Sequence, residues 1–170
     1  MLRKILALLS GLSAGVITAD PITPIANEYF ALNLPGAWTT LSNNENGLWQ
    51  FSETSGDEML SVSVLPYAVT PPLEELEILL KQYLDVRRDT ESRATQNTVF
   101  KLTPVTMHAQ NSGVTASYGG HDPETRRRSF MFAIENQKLI IALYYEAYGK
   151  SEADFDPRKT AVLGTVKVAE

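Results

Sequence analysis

The chain has 170 residues, with 15 Lys plus Arg, 20 Asp plus Glu, two His and no Cys, for a formal net charge of −5. The missing thiols exclude a disulfide framework, zinc ribbons, thiol nucleophiles and lipoproteins that need an acceptor Cys. The length suits one domain, 44% hydrophobic against 21% charged residues is a globular balance, and no basic nucleic-acid footprint is present.

Residues 1–19, MLRKILALLSGLSAGVITA, place Arg3 and Lys4 before an uncharged, largely apolar run from Ile5 to Ile17, followed by small residues. This is the layout of a secretory signal peptide, with cleavage expected after Ala19. As a membrane anchor the run is short of the roughly 20 apolar residues a span needs, and Ser10, Gly11, Ser13 and Gly15 dilute it. Loss of Arg3 and Lys4 takes the charge from −5 to −7 for the expected mature domain, residues 20–170. Gly11-Leu12-Ser13-Ala14-Gly15 matches a G-x-S-x-G nucleophile elbow, but inside a signal peptide it has no strand-to-helix turn and is a chance match.

Tyr29 to Leu34 alternates as a strand and stops at Pro35-Gly36, ahead of Trp38. Residues 42–47 carry loop chemistry. Leu48 to Glu53 and Leu60 to Val64 alternate on either side of Ser55-Gly56-Asp57 and predict a hairpin. Thr70-Pro71-Pro72 offers a cap and a first-turn proline. Leu73, Leu76, Leu80, Tyr83 and Leu84 then recur at helical spacing, with acids early and Lys81, Arg87 and Arg88 late, predicting an amphipathic helix to Arg88 or Arg93. A β half follows. Thr98 to Met107 forms a strand whose Pro104 calls for an edge or a bulge. Val114 to Tyr118, after the turn at Asn111-Ser112-Gly113, and Ser129 to Ile134 are separated by a loop from Gly119 to Glu124. Leu139 to Tyr145, the most apolar run of the mature part, predicts a central strand. Asp156-Pro157 predicts the start of a short helix through Leu163, closed by Gly164, and Val166 to Val168 can add a strand.

The expected fold is α+β: a single domain, mainly antiparallel sheet, with one long amphipathic helix and a short C-terminal helix packed on one side. The segment from Phe30 to Trp38 (FALNLPGAW), the hairpin, helix and β meander, and the closing Val162-Leu163-Gly164-Thr165-Val166 resemble the PsbP-like and DcrB-like superfamily of small α/β proteins, over residues 28 to 168. The resemblance implies an exported accessory or binding protein more than an enzyme, and it carries no catalytic residue over to this sequence.

Three sets of side chains are chemical candidates. His121, Asp122 and Glu124 fall within four positions, where imidazole beside carboxylates could bind a metal or form an acid–base pair, but the spacing matches no recognised ligand set and a polar hairpin loop is the plainer reading. Arg126-Arg127-Arg128 is the densest charge run on an acidic background and could hold a phosphate, an acidic partner or anionic lipid. Strand alternation divides these three guanidinium groups between faces, and a solvated strand end is the ordinary alternative. The aromatics Trp38, Trp49, Phe130, Phe132, Tyr144 and Tyr145 could line a cavity, though alternating aromatics usually form core. No phosphate loop, dinucleotide fingerprint or metalloprotease motif is present.

The expectation is therefore an exported, periplasmic, non-enzymatic module without cofactor or metal. It would bind another protein, a basic toxin or an envelope component, through its sheet face or residues 119 to 128 (His121, Asp122, Glu124, Arg126, Arg127, Arg128). It would bind no nucleic acid and insert in no membrane once its signal is removed. A specific form is an immunity protein against a toxin delivered to the periplasm by type VI secretion, since acidity suits capture of a basic toxin. The alternatives are a small-ligand carrier, which predicts an apolar pocket between helix and sheet, and a metal-dependent hydrolase using the 121–124 loop.

Overall fold

A computed structural model describes residues 21–45, 47–95, 100–110 and 113–168. The expected signal peptide, residues 98 and 99 of the predicted Thr98–Met107 strand, Asn46 and the turn residues Asn111 and Ser112 lie outside the described residues.

Among the described residues, eleven strands and two helices form an α+β domain: β1 (Ile22–Ala26), β2 (Phe30–Pro35), β3 (Trp38–Glu45), β4 (Leu48–Glu53), β5 (Glu58–Pro66), α1 (Leu76–Ala94), β6 (Lys101–Leu102), β7 (Thr106–Gln110), β8 (Gly113–Asp122), β9 (Arg127–Glu135), β10 (Leu139–Ala147), α2 (Glu152–Leu163) and β11 (Lys167–Val168). A short 3-10 turn, Leu73–Glu75, leads into α1. The main sheet runs β3-β4-β5-β10-β9-β8, with β6 and β7 both pairing with β8, and every pair is antiparallel. The hairpin β4–β5 and the meander β7 to β10 are those expected, and α1 carries the chain from β5 to the far edge. Pro104 lies in the break between β6 and β7, where the edge loses its ladder.

β10 is the central strand, and its composition explains the layering. Ile141, Leu143 and Tyr145 point to one face, where they pack with Trp49, Phe51, Leu60 and Val62 against Phe30, Leu32 and Leu34 of a second sheet, β1-β2-β11, and against Phe155 and Val162 of α2. Ile140 and Ala142 point to the other face, where with Tyr118, Met131 and Ala133 they meet Leu80 and Leu84 of α1. The two helices thus cover opposite faces instead of sharing one side. A strand apolar on both faces needs cover on both.

Local chemistry moved four boundaries. Thr70 and Pro71 do not start the long helix; the chain enters through the 3-10 turn after Pro72, with no side-chain cap. α2 begins four residues before Asp156, because Ser151 accepts a hydrogen bond from the Asp154 backbone N–H (3.2 Å) and caps it, leaving Pro157 inside. Residues 42–45 belong to β3, whose register shifts twice against β4; bulges accommodate its polar residues. β8 continues through Asp122, so Gly119 to Asp122 is strand where a loop was expected.

Candidate functional site

β8 and β9 form a hairpin closed by the Asp122–Arg127 pair, with His121 opposite Arg128 one step back. The turn is built by the side chains that sequence singled out. Asp122 is buried, and its Oδ1 accepts the backbone N–H of Glu124 (2.9 Å) and of Thr125 (3.4 Å). Burial opposes ionisation of this carboxyl, but the hydrogen bonds from Thr125 and Glu124 outweigh it and hold Asp122 below the usual range. Arg126 sits in the left-handed region at φ 55°; its Nη2 donates to the Gly149 carbonyl at 2.7 Å and its own carbonyl accepts the Gly149 N–H at 3.1 Å. Glu124 is solvent-exposed.

Alternation then separates the remaining candidates, as expected for a strand. Asp122 and Arg127 face α1. Arg127 Nε donates to Glu146 (3.0 Å), its Nη2 donates to the Tyr144 hydroxyl (2.5 Å), and its guanidinium lies 5.0 Å from the Phe100 ring centroid. Glu91 of α1 accepts from the hydroxyls of Tyr144 (2.8 Å), Tyr118 (3.0 Å) and Ser129 (3.3 Å). Burial, reinforced by the Glu91 charge, keeps both tyrosines well above the ordinary tyrosine range. This network joins the last turns of α1 to the sheet.

His121 and Arg128 point the other way, beside α2, where the second sheet does not reach. They line a cavity of about 350 Å³ between α2 and the β6-β8-β9 edge, together with Lys101, Phe130, Glu152, Asp156 and Lys159. Lys101 is the register partner of His121. The Arg128 guanidinium meets Glu152 at 3.7 Å, while its buried Nε has no hydrogen-bond partner. Lys159 pairs with Asp156 (2.7 Å), its ammonium 4.6 Å from the Phe130 centroid. A second cleft of about 290 Å³ shares Phe130 and Lys159 and extends over Phe132, Ser117, His108 and Leu163. The two form one groove, aromatic at one end and at the other lined by Lys101, Arg128 and Lys159 with the acids Glu152 and Asp156.

Of the six predicted residues, His121 and Arg128 come together in the groove, Asp122 and Arg126 build the turn, Arg127 anchors α1, and Glu124 faces solvent. The 121–124 segment does not converge on one point, and among the described residues no group of three His, Asp or Glu is placed to hold a metal ion. Lys101 and Lys159 were not among the candidates. Each comes from an element distant in sequence, and neither stands in a pattern that marks it. Trp38, Trp49 and Tyr145 are core, whereas Phe130 and Phe132 are partly buried, packed against that core at the groove.

Among the described residues no helix is long and apolar enough to cross a membrane. No family model matches the sequence. No curated protein matches it either. Among solved structures, the chain is similar to the solution structure of cyanobacterial PsbP (CyanoP) from Synechocystis sp. PCC 6803, at 17% identity over 94% of this chain and 98% of that one, with a TM-score of 0.61. It is also similar to the crystal structure of LpqN, involved in cell envelope biogenesis, from Mycobacterium tuberculosis, at 9% identity over 90% and 93% of the two chains, with a TM-score of 0.55. The fold is PsbP-like.

Proposed function

We propose that this chain is an exported, non-enzymatic accessory module that binds another protein through the groove between α2 and the β8–β9 hairpin. The observation that carries this reading is the placement of His121, Arg128, Lys101 and Lys159 beside the partly buried Phe130 and Phe132, on the part of the sheet that the second sheet leaves uncovered. Aromatic and guanidinium groups together are the usual anchors of protein interfaces. A fold similar to that of LpqN, a protein involved in cell envelope biogenesis, supports an envelope setting, as does the signal-peptide pattern of residues 1–19.

The groove favours an acidic, apolar-flanked segment of the partner, while the −7 charge of the expected mature domain speeds encounter with a basic protein as a whole. Immunity against a basic periplasmic toxin is the narrower form of this proposal and rests on charge and export alone. The test is affinity capture from envelope extract, with the unmodified protein and an Arg128→Glu, Lys159→Glu variant side by side. A partner retained by the first and lost by the second is the expected result. Equal recovery by both, or a partner from neither, refutes the groove.

A further inference from the structure

The opposite face carries a second cavity with different chemistry. α1 lies over β8 and β9, and beside it β4, β5 and β10 floor a cleft of about 370 Å³. Cross-strand register sets polar side chains among the apolar ones of its floor, Leu48, Leu65, Met131 and Ala142. Gln50, Ser61 and Tyr144 form one row across the three strands, and Leu48, Ser63 and Ala142 form the next. Gln50 reaches Ser61 only at 3.5 Å, and neither the Ser63 nor the Tyr83 hydroxyl has a hydrogen-bond partner among the described residues. A row of hydroxyl and amide groups thus runs through a lining that also holds Leu48, Leu65 and Met131.

Among the described residues one charge lines this cleft: Arg87, from the exposed side of α1. It has no ion-pair partner among the described residues, and Glu91 one turn on is already taken by Tyr118, Tyr144 and Ser129. A single guanidinium suits a single negative charge; a dianionic phosphate calls for a second cation or a nest of backbone N–H groups, neither of which lines the cavity among the described residues. Ser61, Ser63 and Gln50 interrupt the apolar lining of Leu48, Leu65 and Met131, and burying their polar groups against an alkyl chain is costly. Hydroxyls and an amide beside tyrosine rings match a ligand that is itself hydroxylated and has an apolar ring face. The volume falls near the lower end of small-molecule sites, about 300–1,000 Å³.

We propose that this cleft binds a hydroxylated monocarboxylate of sugar-acid type, its carboxylate on Arg87 and its hydroxyls on Ser61, Ser63 and Gln50. The site is independent of the α2 groove and rests on different residues. The test titrates the purified protein with glucuronate, and separately with glucose, inorganic phosphate and octanoate, read by calorimetry and by amide NMR shifts. Glucuronate is expected to bind saturably, with shifts clustered at Ser61, Ser63 and Ala142, more tightly than the other three. Arg87→Gln, at an exposed position, is expected to weaken it about tenfold or more while leaving the melting temperature unchanged. Ser63→Val, which removes a hydroxyl at constant fold, is expected to weaken it as well. Absence of saturable glucuronate binding, equal or tighter binding of glucose, phosphate or octanoate, or undiminished binding by both variants overturns the proposal.

Discussion

Glu135 is the last residue of β9, fully buried on the α1 face between its register partners Val114 and Ile140, and among the described residues neither carboxyl oxygen has a hydrogen-bond partner. Burial pushes its pKa up to about 7 from 4.5, against a weaker opposing pull from the Leu80 backbone. Because the folded value is the higher one, the folded chain holds the extra proton between the two values. Stability therefore falls as pH rises from about 4.5 to about 7 and levels off above. At about 1.4 kcal/mol per pH unit the full penalty for the charged form is about 3 kcal/mol, and most of it develops between pH 5 and 8. Glu135→Leu removes the titrating group and supplies apolar surface beside Leu80. Urea unfolding of both proteins at pH 5 and pH 8 is the assay. The variant should exceed the parent in stability at pH 8, by a margin about 2–3 kcal/mol larger than at pH 5. The same margin at both pH values, or a variant weaker than the parent at pH 8, refutes the placement of an unpaired carboxyl there.

Other perturbations test the anchors of the two helices. Glu58, with its side chain 5% exposed, holds Lys150 (3.1 Å) and Arg158 (2.8 Å), so Glu58→Gln should cost about 2–3 kcal/mol after discounting for the partly exposed cations, measured by urea unfolding. Gly120→Ala should cost about 1–3 kcal/mol, since the added Cβ would fall on the Phe100 ring and 2.6 Å from Ser129 Oγ; chemical denaturation against the parent reads this directly. Arg127→Gln strands Glu146 and part of the Glu91 network and should cost about 2 kcal/mol, whereas Arg128→Gln, whose ion-pair partner is an exposed glutamate, should cost about 0.5 kcal/mol or less. Equal losses from the two adjacent arginines would show that alternation does not separate them.

What periodicity encodes was legible in the chain. The leucine stripe that buries Leu76, Leu80 and Leu84, the doubly apolar run of β10 and the turn-bounded strands of the meander all announce local structure, because each repeats at the period of its own element. Strands without that signature were missed. β1 holds Pro24 and is largely exposed, and the polar residues of β3 resemble a loop; both are strands because a neighbour supplies their ladder. The candidate segment 121–128 was locatable for its charge density, yet its residues were assigned three separate tasks by a hairpin register that no local pattern states.

The sequence by itself determined the long amphipathic helix, the strands of the meander and the apolar run of the central strand. Tertiary structure decided which element covers which face, and so where the sheet stays open. α1 settles over β8 and β9, and the β1-β2-β11 sheet settles with α2 on the other side. The groove and the cleft are what these placements leave uncovered. Their key cations, Lys101 and Lys159 in one and Arg87 in the other, acquire neighbours only through packing across elements distant in sequence. Burial and charge proximity are properties of that packing, because the hydrophobic effect fixes how much surface must be hidden and not which partner hides it.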